Sequence, residues 1–122
     1  MSITSKQLAR YAKAPRPKDR GMNGTESKYA SRLEILRRAG EIRSWAFEQV
    51  KIRLADKTFY TPDFLVVTND GTIEFHETKG FWEDDARVKI KVAAEVFPAR
   101  FLAARWIKGQ WEIENFFDEA NP

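Results

Sequence analysis

The stretch "FYTPDFLVVTNDGTIEFHETKG", residues 59 to 80, constrains the fold more than any other part of the chain. Two β-rich runs flank "TNDGT", and Asp-Gly between such runs marks a tight antiparallel hairpin. Pro62 has no N–H to give to a ladder, so it marks the start of the first strand. Loop length then sets the register. A two-residue turn at Asp70-Gly71 would place Asp63 opposite Thr78, with Glu77 on the other face. A three-residue loop of Asn69, Asp70 and Gly71 places Asp63 across from Glu77. It also gives Gly71 the left-handed position that such a loop requires. The longer loop gathers Leu65, Val67, Ile73 and Phe75 on one face, continued at the strand ends by Asp63, Glu77 and Lys79. That is the expected register.

The segments on either side add helices and further strands. "TESKYASRLEILRRAG" predicts a helix with Asn23 or Thr25 as its cap and Gly40 just past its end. Its inward stripe is Tyr29, Ala30, Leu33 and Leu36, with Ile35 at the margin, and Glu26 lies one turn before Ala30. In "SWAFEQVKIRL" the apolar phase changes between Trp45/Phe47 and Val50/Ile52/Leu54, which predicts a bulge near Glu48. "FWEDDARVKIKVAAEVFP" predicts a second helix, with acids in its first turn and Pro98 after its end. Its broad apolar face is Val88, Val92 and Val96 with Ile90, Ala93, Ala94 and Phe97. "RFLAARWI" and "QWEIENFF", joined at Gly109, complete the pattern. The order α-β-β-β-α-β-β predicts an α/β fold, a mixed β-sheet flanked by helices.

A chain of 122 residues with 43% hydrophobic residues is enough for one packed domain. It has no cysteine, which removes disulfides and thiolate metal sites and suits a reducing cytoplasm. No apolar run approaches the ~20 residues of a membrane span. Charge is uneven: residues 1–43 carry eleven Lys/Arg against four Asp/Glu, and residues 44–122 carry ten against fourteen. Residues 1–22, with Pro15 and Pro17 among basic residues, read as an extended, flexible basic arm after a short helix near Lys6 to Tyr11. The domain proper spans 23–117, and 118–122 form an acidic tail. A basic arm suits nucleic acid phosphates, with Arg16, Lys18 and Arg20 as contacts. It equally suits a segment kept for solubility.

If the first helix packs on the Leu65/Val67/Ile73/Phe75 face, Glu26 joins Asp63, Glu77 and Lys79. Three crowded carboxylates repel one another, and one is driven to protonate unless a cation intervenes. An all-oxygen set suits Mg²⁺ or Mn²⁺ rather than zinc, and the backbone carbonyl of Thr78 offers a further ligand. Lys79 then serves to orient a water and balance charge on a phosphate.

"TPDF" and "ETKG" on consecutive strands, after a helix bearing Glu26, resemble the PD-(D/E)xK nuclease superfamily. They resemble in particular Holliday-junction resolvases of the phage endonuclease I type, and short phage nuclease-like proteins over roughly Asn23 to Phe117. The resemblance implies a restriction-endonuclease-like core in which Asp63, Glu77 and Glu26 bind metal and Lys79 assists catalysis. It implies Mg²⁺-dependent hydrolysis of DNA phosphodiesters leaving 5′-phosphates, a branched duplex substrate, a homodimer, and a phage protein in the host cytoplasm. The alternatives are a less structure-selective double-strand nuclease and a nuclease-fold DNA-binding module without catalysis.

Several of these residues have plainer accounts. Glu26 completes a capping box begun by Asn23. Asp63 fits a turn, and Glu77 with Lys79 fits an exposed strand end. His76 points away from Glu77 and reads as a packing or surface residue. Lys28, Arg87 and Lys91 are candidate DNA contacts, although Lys91 could instead pair with Glu95 on a solvated face. Phe81 and Trp82 could stack on bases but more simply plug the sheet, and Trp106 and Trp111 are cross-strand neighbours.

Overall fold

In the computed structural model, residues 12–13, 21–79 and 84–116 are described, the first pair as backbone only. Helix α1 is Gly24–Arg38 and α2 is Asp84–Val96. The strands are β1 Ala12–Lys13, β2 Ser44–Phe47, β3 Lys51–Ala55, β4 Thr58–Tyr60, β5 Phe64–Val67, β6 Ile73–Lys79, β7 Arg100–Ile107 and β8 Gln110–Asn115. Five of them form a mixed sheet in the order β2-β5-β6-β7-β8, and β1-β3-β4 form a smaller one. Among the described strands only β6 and β7 run parallel, and α2 supplies the long crossover that parallel neighbours need. The fold is α/β.

Read along the large sheet alone, the order is α-β-β-β-α-β-β, as the sequence predicts. Each of the two strands expected before Asn69 is, however, divided in two. The chain leaves the large sheet after Phe47, builds β3 and β4 into the small sheet, and returns at Phe64. Ala12 and Lys13, within the expected loose arm, pair with Ile52 and Lys51. The expected helix near Lys6 to Tyr11, the arm residues Arg16, Lys18 and Arg20, the aromatics Phe81 and Trp82, and the tail 118–122 lie outside the described residues.

Local signals act where they are expected. Asn23 caps α1 by accepting the Glu26 N–H at 2.8 Å, and the Glu26 carboxylate accepts the Asn23 N–H at 3.0 Å. At the other end, Gly40 N–H donates to the Arg37 carbonyl and Glu41 N–H to the Leu36 carbonyl. This six-to-one closure requires the left-handed φ of +78° at Gly40. The hairpin has the three-residue loop: Thr68 N–H donates to the Thr72 carbonyl, and Gly71 takes φ +87°. Its ladder pairs Phe64 with His76 and Val67 with Ile73. Carried one step further, this register sets Asp63 against Glu77.

The helices lie on faces opposite to expectation. The Leu65/Val67/Ile73/Phe75 side packs against α2 through Ile90, Ala93 and Phe97, and against Val50, Ile52 and Tyr60 of the excursion. Helix α1 packs Tyr29, Ala30 and Leu33 on the other side, against Phe64, Val66 and Ala104. The reason is that "FLVV" is apolar on both faces, so alternation cannot say which helix covers which. On β6 the α1 side carries Glu74 and His76, polar residues that make it look solvated. In the fold His76 is buried, with Nδ1 2.5 Å from the Tyr29 hydroxyl and Nε2 2.9 Å from Glu74. Helix α2 also divides its apolar face: Ile90, Ala93 and Phe97 go into the core, while Val88, Val92 and Val96 stay 38–56% exposed.

Candidate metal centre

The site is built where the two strands leave the large sheet. Between the pairs Phe47↔Phe64 and Ile52↔Tyr60, residues 48–51 face only 61–63. One extra residue on one strand is a bulge, and it bends the pair sharply. Glu48 absorbs the bend with φ +47°, a conformation costing a non-glycine residue about 1–2 kcal/mol. Its N–H donates to the Asp63 carbonyl at 2.8 Å, which locks the two bends together. Both side chains are buried, and side-chain alternation is suspended at the bend, so the two carboxylates converge.

Glu26 reaches the same place from the first turn of α1. Oxygens of Glu26, Glu48 and Asp63 all lie within 4.8 Å of one another. Asp63 is 9% exposed, and its Oδ2 accepts the Thr78 N–H at 2.9 Å and the Thr78 hydroxyl at 3.0 Å. Burial pushes the Asp63 carboxyl up to about 7, helped by the negative charges of Glu77 and Glu26, and the Thr78 hydrogen bonds offset this only in part. The Asp63 carboxyl therefore holds its proton more firmly than a free one does.

Glu77 and Lys79 form an adjoining group. Glu77 Oε1 accepts the Tyr60 hydroxyl at 2.7 Å and the Asp63 N–H at 3.2 Å, and Oε2 lies 3.1 Å from Lys79 Nζ. Burial and the Glu77 charge raise the Tyr60 pKa well above its ordinary value, so the hydroxyl remains a donor. A cleft of about 850 Å³ opens beside Glu77 and Lys79, lined also by Phe59, Tyr60, Thr61 and Lys89.

Of the residues expected in the site, Asp63 thus joins Glu26 on one side and Glu77 with Lys79 on the other. Glu77 is not a member of the tight three-carboxylate group; Glu48 takes that place. The phase change at Glu48 was a signal for its backbone, not for its side chain. Thr78 touches Asp63 through its N–H and hydroxyl. Lys28 Nζ sits 3.9 Å over the Trp106 ring. Arg87 Nη1 donates to Glu114 at 2.8 Å and Nη2 to the other carboxylate oxygen. Lys91 is exposed on α2.

Three carboxylate donors, one of them with a raised pKa, fit a divalent cation such as Mg²⁺ or Mn²⁺, and the group contains no nitrogen or sulfur ligand. Among the described residues no helix is long and apolar enough to cross a membrane. Compared with family models, curated proteins and solved structures, the chain matches none.

Proposed function

We propose that the chain is a Mg²⁺-dependent DNA endonuclease with a restriction-endonuclease-like core of the PD-(D/E)xK kind. The observation that carries this reading is the convergence of Glu26, Glu48 and Asp63 at a strand bend, directly beside Glu77 and Lys79. Glu26, Glu48 and Asp63 would hold the cation, with Glu77 fixed against the Asp63 backbone. The cation, when bound, supplies an acidified water and neutralises charge on the phosphate.

The chain's own groups account for the rest. Thr78 fixes the Asp63 carboxylate through two hydrogen bonds, so the ligand is oriented before the cation arrives. Tyr60 does the same for Glu77. Lys79, held by Glu77 at the edge of the cleft, is placed to balance charge on a phosphate entering there. Net hydrolysis adds water across the P–O3′ bond, leaving a 5′-phosphate and a 3′-hydroxyl. Branched duplex DNA is the proposed substrate, and cutting two strands of a junction calls for a homodimer in the host cytoplasm of a phage.

Cleavage of a four-way junction and a sequence-matched linear duplex, each with Mg²⁺ and with chelator, tests the reading. Cutting of the junction with Mg²⁺ alone is expected. Equal cutting of both substrates would replace junction selectivity with general double-strand cleavage. Absence of any cutting with Mg²⁺ or Mn²⁺ would overturn the enzymatic reading.

A further inference from the structure

The face of the sheet bearing α1 is only partly covered by it. Beyond Ala104, which is buried under the helix, Trp106 and Ile113 remain 41% exposed, with Trp111 half-buried between α1 and Trp106. The indoles of Trp106 and Trp111 meet edge-on with centroids 5.3 Å apart, and Trp111 rests on Tyr29 at 5.0 Å. Trp111 thus anchors the pair on the core, and Trp106 extends past the area that α1 covers.

Cations border these rings. Lys28 Nζ stands 3.9 Å over Trp106, and Arg32, one turn further along the same helix face, lies over Tyr29. Arg32 is half-buried, and its Nε is enclosed, so a phosphate contact falls to the outer nitrogens of its guanidinium. Lys28 and Arg32 are separated by about 6 Å along the helix axis. An aromatic platform edged by such cations is the arrangement on which single-stranded nucleic acids stack.

The platform is also close to the carboxylates. Thr78, which holds Asp63, is in register with Ala104, and Trp106 is the next residue on that face of β7. One strand spacing across and two residues along give roughly 8 Å between the Thr78 and Trp106 backbones. That is the reach of a neighbouring nucleotide.

We infer that this strip binds an unpaired nucleotide next to the carboxylate group. A base stacks on Trp106, displacing the Lys28 ammonium from the ring to a flanking phosphate, while Arg32 takes the next one. The nucleic acid being DNA rests on the proposed nuclease function; the stacking does not. A protein partner is disfavoured because two indoles and one isoleucine are far short of the ~800 Å² per partner of a stable interface.

The test is binding of a twelve-residue oligothymidylate in chelator, by tryptophan fluorescence and anisotropy, with a blunt duplex alongside. Trp106→Ala should weaken single-strand binding about 10- to 100-fold and leave duplex binding unchanged. Trp106→Phe should restore most of the loss, which separates stacking from disturbed folding. Lys28→Ala and Arg32→Ala should each flatten the salt dependence, lowering the slope of log K against log salt by about 0.7. Single-strand affinity unaffected by Trp106→Ala overturns the inference, even if Mg²⁺-dependent cleavage persists. Conversely, Trp106-dependent binding without cleavage keeps the inference and removes the nuclease reading. Oligouridylate binding with the same Trp106 dependence supports the stacking and broadens its ligand to RNA. Loss of a dimer on sedimentation of Trp106→Ala would make the strip a protein interface and end the proposal.

Discussion

Replacing Asp63 by asparagine should stabilise the metal-free protein, and by an amount that depends on pH. In the fold the Asp63 carboxyl is raised from the usual 3.8 to about 7, chiefly by burial and then by the Glu77 charge. Below pH 4 the group is protonated in both folded and unfolded chains and titration costs nothing. Between about pH 4 and 7 the unfolded chain gives up its proton first. Wild-type stability therefore falls as pH rises, by up to about 1.4 kcal/mol per unit. Above pH 7 the loss is complete, and three units correspond to at most about 4 kcal/mol. An asparagine cannot ionise, yet its Oδ1 still accepts from Thr78, and its amide can donate to Glu26 or Glu48. The Asp63→Asn variant should thus match wild type near pH 4 and exceed it by about 2–4 kcal/mol at pH 8, several degrees in Tm. Urea unfolding in chelator from pH 4 to 8 measures the difference, in which other titrations largely cancel. Adding Mg²⁺ at pH 8 should then stabilise wild type and not the variant, because only the native carboxylate set binds the ion. A stability difference that stays flat across this pH range would refute the buried-charge argument.

Other perturbations address single parts of the site. Lys79→Ala should leave metal affinity nearly unchanged and lower single-turnover cleavage by about 10²–10³, the scale of one preorganised electrostatic group; wild-type rates would make Lys79 an ordinary strand-end residue. Glu48→Gln removes one of three nearby charges and should weaken Mn²⁺ binding by calorimetry at least about tenfold; unchanged affinity would place the cation away from the bend. Asn23→Ala takes away the side-chain acceptor of the Glu26 N–H and should cost about 0.5–2 kcal/mol by chemical denaturation. The backbone N–H of residue 23, which holds the Glu26 carboxylate, is kept in this variant, so metal affinity should stay nearly unchanged while stability falls; a parallel loss of metal affinity would show that the side-chain half of the cap also positions the ligand.

The parts of this protein legible in its sequence are those set by local stereochemistry. Asn23 and Gly40 bound α1 because a free helix N–H needs an acceptor and a six-to-one closure needs a left-handed residue. Gly71 selected the three-residue loop, and that loop alone brought Asp63 level with Glu77. What the tertiary structure decided depends on contacts between segments far apart in the chain. "FLVV" is apolar on both sides, so the faces taken by α1 and α2 were set by which surfaces finally packed. The phase change at Glu48 could be read as a bulge, but not that β3 and β4 would leave for a second sheet and turn the Glu48 carboxylate toward Asp63. Nor does helical spacing show which half of an apolar face the core will accept: the sheet took Ile90 and Ala93 and left Val88 and Val92 exposed. A side chain's direction follows from its own backbone, but its neighbours follow from the packing of every layer around it.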